Sequence, residues 1–93
     1  MSMLVKIHYA MHLTTQLNND NEVDEGICRR LSPTPDKAVA IAKEHAQRYR
    51  TWPLISEHSS QSIYVATFSP DNGNTTYQMT YRISPVEEYD DVT

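Results

Sequence analysis

The segment QSIYVATFSPDNGNTTYQMTYRI, residues 61–83, constrains the fold more than any other part of the chain. Asn72 and Gly73 both tolerate the positive φ angles of a tight hairpin turn, and the flanking residues alternate between two faces. A turn centred there predicts a β-hairpin with Phe68/Tyr77, Ala66/Met79 and Tyr64/Tyr81 on one face and Thr67/Gln78, Val65/Thr80 and Ile63/Arg82 on the other. The aromatic and methionine pairs mark the first face as the core face.

A single helix is predicted upstream, in SPTPDKAVAIAKEHAQRYR, residues 32–50. Thr34 can cap its N-terminus, and Pro35 suits the first helical position because its missing N–H costs nothing there. Pro53 disfavours helical geometry at the preceding residue, so the helix should end near Arg50. The side expected to face the sheet carries Ala38, Val39, Ile41, Ala42, His45, Ala46 and Tyr49.

Two further strands are expected before the helix. The alternation in MLVKIHYAMHL, Met3 to Leu13, has a period of two and indicates a long strand. Residues 18–21, NNDN, are typical of a hairpin loop, and Gly26 would weaken a helix, which favours a second strand after them. Val23, Ile27 and Leu31 are spaced four apart, which also fits a helical stripe. The predicted fold is α+β, a β-β-α-β-β order in which one helix packs on an antiparallel sheet of about four strands.

Length and composition limit the class of protein. The 93 residues suffice for one domain, 1–93, with an acidic C-terminal tail at 86–93. The N-terminal region lacks the basic and small-residue features of a signal peptide, so we expect a cytoplasmic protein without membrane association. Cys28 is alone in the sequence, which excludes an intramolecular disulfide.

No pattern in the sequence predicts catalysis, a metal or another cofactor. His8 and His12 would lie about 13 Å apart on a strand, too far for one ion. His45 on the inner helix side is expected to be a hydrogen-bonded structural residue, although an acid–base role for it, or a nucleophilic role for Cys28, remains an alternative. We therefore expect a protein that is not an enzyme.

Charge is distributed unevenly along the chain, whose formal net charge is −4. The segments DNEVDE, residues 20–25, and EEYDD, residues 87–91, hold most of the acidic residues, whereas basic residues gather between them. Such segregation can steer association with a charged partner. The candidate partner-binding residues are Lys37, Lys43, Gln47, Arg48 and Arg50 on the outer side of the helix, Arg29 and Arg30 before it, and the acidic Asp20, Glu22, Asp24, Glu25, Glu87 and Glu88.

The far side of the sheet is a second candidate surface, because a single helix covers one side only. Its expected residues are Lys6, His8, His12, Ile63, Val65, Thr80 and Arg82. It would be solvated, or would bind a partner or a second copy. Direct nucleic-acid binding is not expected, since the aromatic residues align on the helix side and leave no stacking platform.

In the order of Met3 to Leu13, Thr34 to Arg50 and Ser62 to Ile83, the chain resembles small phage-encoded anti-CRISPR inhibitors. The resemblance concerns architecture and involves no shared motif. It implies a non-enzymatic protein that occupies a functional surface of a larger protein or ribonucleoprotein complex, in a host cell's cytoplasm. The alternatives are a small homodimeric regulatory or ligand-binding domain and a small enzyme.

Overall fold

The computed structural model describes the backbone of residues 2–49 and 51–91, and the side chains of residues 7–27, 31–48 and 51–87. The elements follow the order β1 (Ser2–Leu17), β2 (Val23–Ser32), α1 (Pro35–Tyr49), β3 (Leu54–Ser59), β4 (Ile63–Phe68) and β5 (Tyr77–Asp91). The predicted α+β class, with one helix and an antiparallel sheet, is confirmed for these residues. No helix in the described part of the chain is long and apolar enough to cross a membrane.

The sheet has five strands, in the order β2-β1-β5-β4-β3. The predicted number of about four was therefore wrong. The additional strand is β3. It includes residues 56–59 of the segment SEHSSQS, residues 56–62, whose polar composition predicts a loop before the next strand. All six of its residues are exposed, so it lacks the apolar alternation that identifies a half-buried strand. It forms by pairing with β4 at the edge of the sheet.

The register of the β4–β5 hairpin agrees with the prediction at all six pairs, from Phe68↔Tyr77 to Ile63↔Arg82. Asn72 and Gly73 adopt φ angles of 57° and 101°, as the turn requires. The expected core face is buried: Tyr64, Ala66, Phe68, Tyr77, Met79 and Tyr81 all belong to the core cluster. The alternation of residue types and the turn residues were therefore sufficient to predict the register of the β4–β5 hairpin.

The helix lies against this core face through its alanines. Ala38, Ala42 and Ala46 are fully buried, and their small side chains allow the helix backbone to lie close to the sheet. At the N-terminus, the Thr34 hydroxyl accepts a hydrogen bond from the Lys37 N–H at 3.2 Å, as predicted for the cap. Met11 and Leu13 of β1 complete the layer beneath the helix.

Strand β5 extends through residues 86–91 of the predicted acidic tail, so these residues belong to the sheet. It pairs with β1 along almost the whole length of both strands, from Leu17↔Tyr77 to Ser2↔Asp91. Residues 92 and 93 lie outside the described part of the chain.

The outer part of the β1–β5 pair projects beyond the other strands. The pairing of β2 with β1 ends at Tyr9, and that of β4 with β5 ends at Arg82. We call the two-stranded remainder, residues 2–8 and 86–91, the β1–β5 arm. It gives the molecule an elongated shape, with principal extents of 59 × 23 × 19 Å.

Candidate partner-binding site

The outer side of α1 carries the predicted basic residues, and Lys37, Lys43, Gln47 and Arg48 are all exposed. We call these four residues the helix outer face. Two of the cations have acidic neighbours. Arg48 Nη2 lies 2.8 Å from Glu44 Oε1, and Lys43 Nζ lies 3.5 Å from Glu57 Oε1 on β3. These ion pairs reduce the net positive charge that the face presents to a partner.

The other predicted basic residues cannot be placed on a surface. Arg29 and Arg30 lie in β2 by their backbone, and their side chains are outside the described set. Arg50 is outside the described residues altogether. A continuous basic surface from β2 across the helix therefore remains a prediction.

Glu57 is a functional-site candidate that the sequence analysis missed, because its segment was treated as loop. It pairs with Ala66 in the sheet, which places it on the helix side. Its second oxygen, Oε2, accepts a hydrogen bond from the Tyr64 hydroxyl at 2.8 Å. Burial raises the pKa of Tyr64 well above its ordinary value, and the hydrogen bond to Glu57 and its negative charge raise it further.

Four acidic residues lie in the turn that joins β1 and β2 and at the start of β2. Asp20, Glu22, Asp24 and Glu25 are all on the surface. Asp24 Oδ1 accepts the Gly26 N–H at 2.8 Å and lies 2.9 Å from His12 Nε2. These contacts fix the orientation of the Asp24 carboxylate.

The acidic residues Glu25 and Asp20 are also tied to β1. The Thr15 hydroxyl donates a hydrogen bond to Glu25 Oε1 at 3.0 Å, and the Gln16 side-chain amide donates to the Asp20 carbonyl at 2.8 Å. The Thr15 hydroxyl therefore orients the Glu25 carboxylate, whereas the Gln16 amide holds Asp20 through its backbone carbonyl.

The β4–β5 loop reaches the same end of the sheet. Asn18 and Thr76 exchange two hydrogen bonds, with the Asn18 N–H donating to the Thr76 carbonyl at 2.8 Å and the Thr76 N–H to Asn18 Oδ1 at 3.0 Å. Within the loop, Asp71 accepts from the N–H and the hydroxyl of Thr75 at 2.6 and 2.7 Å. These hydrogen bonds lower the pKa of Asp71, so its carboxylate stays ionised.

We call Asp20, Glu22, Asp24, Glu25 and Asp71 the acidic end. The remaining predicted acidic residues lie at the opposite end of the molecule, in the β1–β5 arm. There Glu87 is exposed and pairs with Ile7, and Glu88 pairs with Lys6 by its backbone, although its side chain is outside the described set. The structure thus separates the two acidic segments and does not combine them in one patch.

The side of the sheet away from the helix has mixed character. Ile63 and Val65 are half-buried, Thr80 is buried and Arg82 is exposed. Arg82 Nη1 donates to Thr14 Oγ1 at 3.1 Å. Lys6 belongs to the same predicted surface, but its side chain is outside the described set. Such a polar, threonine-containing surface is compatible with solvent.

The side chains with possible chemical roles form no assembled reactive site among the described residues. His45 Nδ1 is 2.5 Å from the Tyr81 hydroxyl, and the two rings meet edge to face. His8 and His12 do lie on one strand, as expected. No group of three or more histidine, cysteine or acidic side chains in the described set could hold a metal ion.

The described residues form a small α+β domain, and comparisons with known proteins found no relative of the chain. No family model, curated protein or solved structure matches the chain.

Proposed function

We propose that this protein is a non-enzymatic binding protein that blocks or modulates a larger complex, and that the acidic end is its contact surface. The observation that carries the proposal is the gathering of five exposed carboxylates, from the β1–β2 turn, the start of β2 and the β4–β5 loop, at one end of the sheet. The cations of the helix outer face are, by contrast, partly neutralised by Glu44 and Glu57. Among the side chains that the structure describes, the acidic end is therefore the stronger electrostatic feature of the two.

The chemistry of this surface favours a partner rich in lysine and arginine. Proteins that hold nucleic acid neutralise phosphates with these side chains, and a set of carboxylates held in place by hydrogen bonds can compete for the same cations. Steering by opposite charge would also accelerate association. A nucleic-acid-handling complex, such as a CRISPR-type effector in the host of a phage, is the partner we propose.

Charge reversal at the two surfaces tests which of them binds. The tagged protein is compared with an acidic-end variant, Asp20→Lys with Glu22→Lys, and a helix variant, Lys43→Glu with Arg48→Glu, in capture from host lysate read by mass spectrometry. Each variant changes the net charge by four, and circular dichroism checks that each one folds. The ion pairs lost in the helix variant are surface pairs, each worth about 0–1 kcal/mol, so the fold should persist.

We expect one complex to be captured by the unmodified protein and by the helix variant, and to be lost with the acidic-end variant. Its recovery should decrease as salt is raised, and a single-stranded oligonucleotide should displace it. If capture of the complex is lost with the helix variant alone, the contact surface is the helix outer face and not the acidic end. Equal recovery by all three proteins would refute an electrostatic contact.

A second experiment tests inhibition itself. The captured complex is assayed for cleavage or silencing of a plasmid target with and without the purified protein. Inhibition that requires an intact acidic end supports the proposed function. A captured partner that does not bind nucleic acid would contradict the CRISPR-type assignment, while the acidic contact itself would stand.

A further inference from the structure

The β1–β5 arm contains only two strands where the rest of the sheet has more. Residues 2–8 of β1 pair with residues 86–91 of β5, and none of the other described strands extends alongside them. An isolated two-stranded ribbon is marginally stable in water, and a third or fourth strand is what usually stabilises it. An exposed apolar residue on β1, Ile7, adds a reason to cover this strand.

The two outer edges of the arm differ in their suitability for pairing. The β5 edge contains Pro85, which has no N–H to donate, followed by Glu87, Glu88, Asp90 and Asp91. Proline and repeated like charge both discourage a strand from pairing with another copy of itself. The β1 edge, SMLVKIH, is mainly apolar, with Lys6 as its single residue of fixed charge.

The remaining edges of the sheet are also protected. Strand β3 has only six residues and a register irregularity around Ile55. Strand β2 has register shifts at two places along its pairing with β1, and Asp24 and Glu25 at its start. Short length, bulges and charge are the usual means by which proteins protect edge strands. The β1 edge of the arm also has a bulge, at Val5, and one charge, Lys6, but it contains neither a proline nor an acidic residue.

Symmetry determines how two β1 edges can meet. In an antiparallel pair about a two-fold axis, a pairing centred on Val5 places Met3 opposite Ile7 and Leu4 opposite Lys6 of the second copy. No lysine then faces a lysine. Val5 is also the residue that the bulge between Leu4 and Lys6 leaves without a Cα partner on β5.

We infer that the β1–β5 arm is a self-association element, in which residues 2–8 of β1 pair antiparallel with the same residues of a second copy about a two-fold axis at Val5. The β1 strand of the second copy lies beside residues 2–8, on the side where β2 pairs with the rest of β1. The two arms together form a four-stranded ribbon. The inference does not depend on the proposed function, since the acidic end lies at the other end of β1.

Sedimentation equilibrium from micromolar to millimolar concentration tests the association. We expect the unmodified protein to change from monomer to dimer with concentration, and Val5→Lys to remain monomeric because it places two like charges opposite each other at the axis. Val86→Lys, on the other strand of the same arm, is the matched control and should still dimerise. A monomer at every concentration would overturn the inference.

Cross-linking tests the register. In a Cys28→Ser background, Val5→Cys places two thiols opposite each other across the axis, where opposed Cα atoms of antiparallel strands lie about 4.5–5.5 Å apart. That spacing falls within the range a disulfide spans. Under mild oxidation Val5→Cys should form a covalent dimer, and Val86→Cys in the same background should not. A dimer by sedimentation that fails to cross-link at position 5 would overturn the proposed edge.

Discussion

At the scale of single residues, two buried serines with opposite surroundings show how polar groups are accommodated in this small core. Ser32 and Ser69 are both 1% exposed. Ser69 Oγ accepts the N–H groups of Asp71 and Gly73 and donates to Asp71 Oδ1. Ser32 Oγ is buried and has no hydrogen-bond partner among the described residues. The Ser69 hydroxyl organises a loop, whereas the Ser32 hydroxyl has no compensating partner in the part of the chain whose side chains are described.

Ser32→Ala should leave the free energy of unfolding unchanged or raise it by up to about 1 kcal/mol, because it removes a buried hydroxyl that makes no compensating hydrogen bond. Urea denaturation followed by circular dichroism measures the change. Ser69→Ala is the matched control, and should lower the free energy of unfolding by about 1–3 kcal/mol because it leaves backbone N–H groups unsatisfied. A comparable loss for both variants would mean that Ser32 has a partner after all.

The ionisation of Tyr64 should make the free energy of unfolding depend on pH in the alkaline range. Its folded pKa is raised, chiefly by burial, above that of an unfolded tyrosine, which is about 10. The folded state therefore retains this proton more strongly than the unfolded state does. The resulting stability is fully present below pH about 10 and is lost as the pH rises above that value.

We expect the free energy of unfolding of the unmodified protein to fall more steeply above pH about 10 than that of Tyr64→Phe, which has no proton to release at this position. Urea denaturation of both proteins across this range gives the two slopes. Absorbance titration should show one tyrosine fewer with delayed ionisation in the variant. Parallel slopes would contradict the assignment of the raised pKa to Tyr64.

At the scale of elements, hydrophobic periodicity and turn chemistry predicted the β4–β5 hairpin and the helix. The hairpin register followed from Asn72-Gly73, and the buried side of the helix followed from the spacing of Ala38, Ala42 and Ala46. Strand β3 could not be recognised in this way. Its residues are all exposed, so β3 carries no apolar alternation of its own. Its main contacts are the backbone pairing with the next strand, β4, and the hydrogen bond between Glu57 and Tyr64 of that strand.

The helix–sheet contact makes a specific prediction about side-chain size. Ala42 is fully buried against the sheet, whereas Ala40 is exposed on the other side of the same helix. Ala42→Leu should lower the free energy of unfolding by about 1–3 kcal/mol, because a larger side chain must separate the helix from the sheet. Ala40→Leu should change it by less than about 0.5 kcal/mol, since surface substitutions rarely exceed that. Thermal or urea unfolding of the two variants measures this difference, and equal effects would contradict the close contact.

At the scale of the whole molecule, no pattern in the chain predicted that the first and last strands pair. The pairing of β1 with β5 joins residues sixty or more positions apart, such as Leu17 and Tyr77 or Ser2 and Asp91. Pro85 and the acidic residues after it indicated a tail, because neither feature favours a central strand. Prediction of the candidate site had the same limit. The charged residues could be named from the sequence, but the sequence did not indicate which of them lie together at one end of the sheet.

This pairing predicts a shape that solution scattering can measure. A compact chain of this length would have a radius of gyration of roughly 12 Å, whereas the Cα atoms here give 15.8 Å because the β1–β5 arm projects from the body. Small-angle scattering at high dilution, or on the Val5→Lys variant, should therefore give a radius near the larger value and a maximum dimension near 60 Å. A radius close to that of the compact chain would mean that the arm folds back onto the sheet. Its β1 edge would then be covered within the monomer, and the two-fold pairing would lose its physical basis.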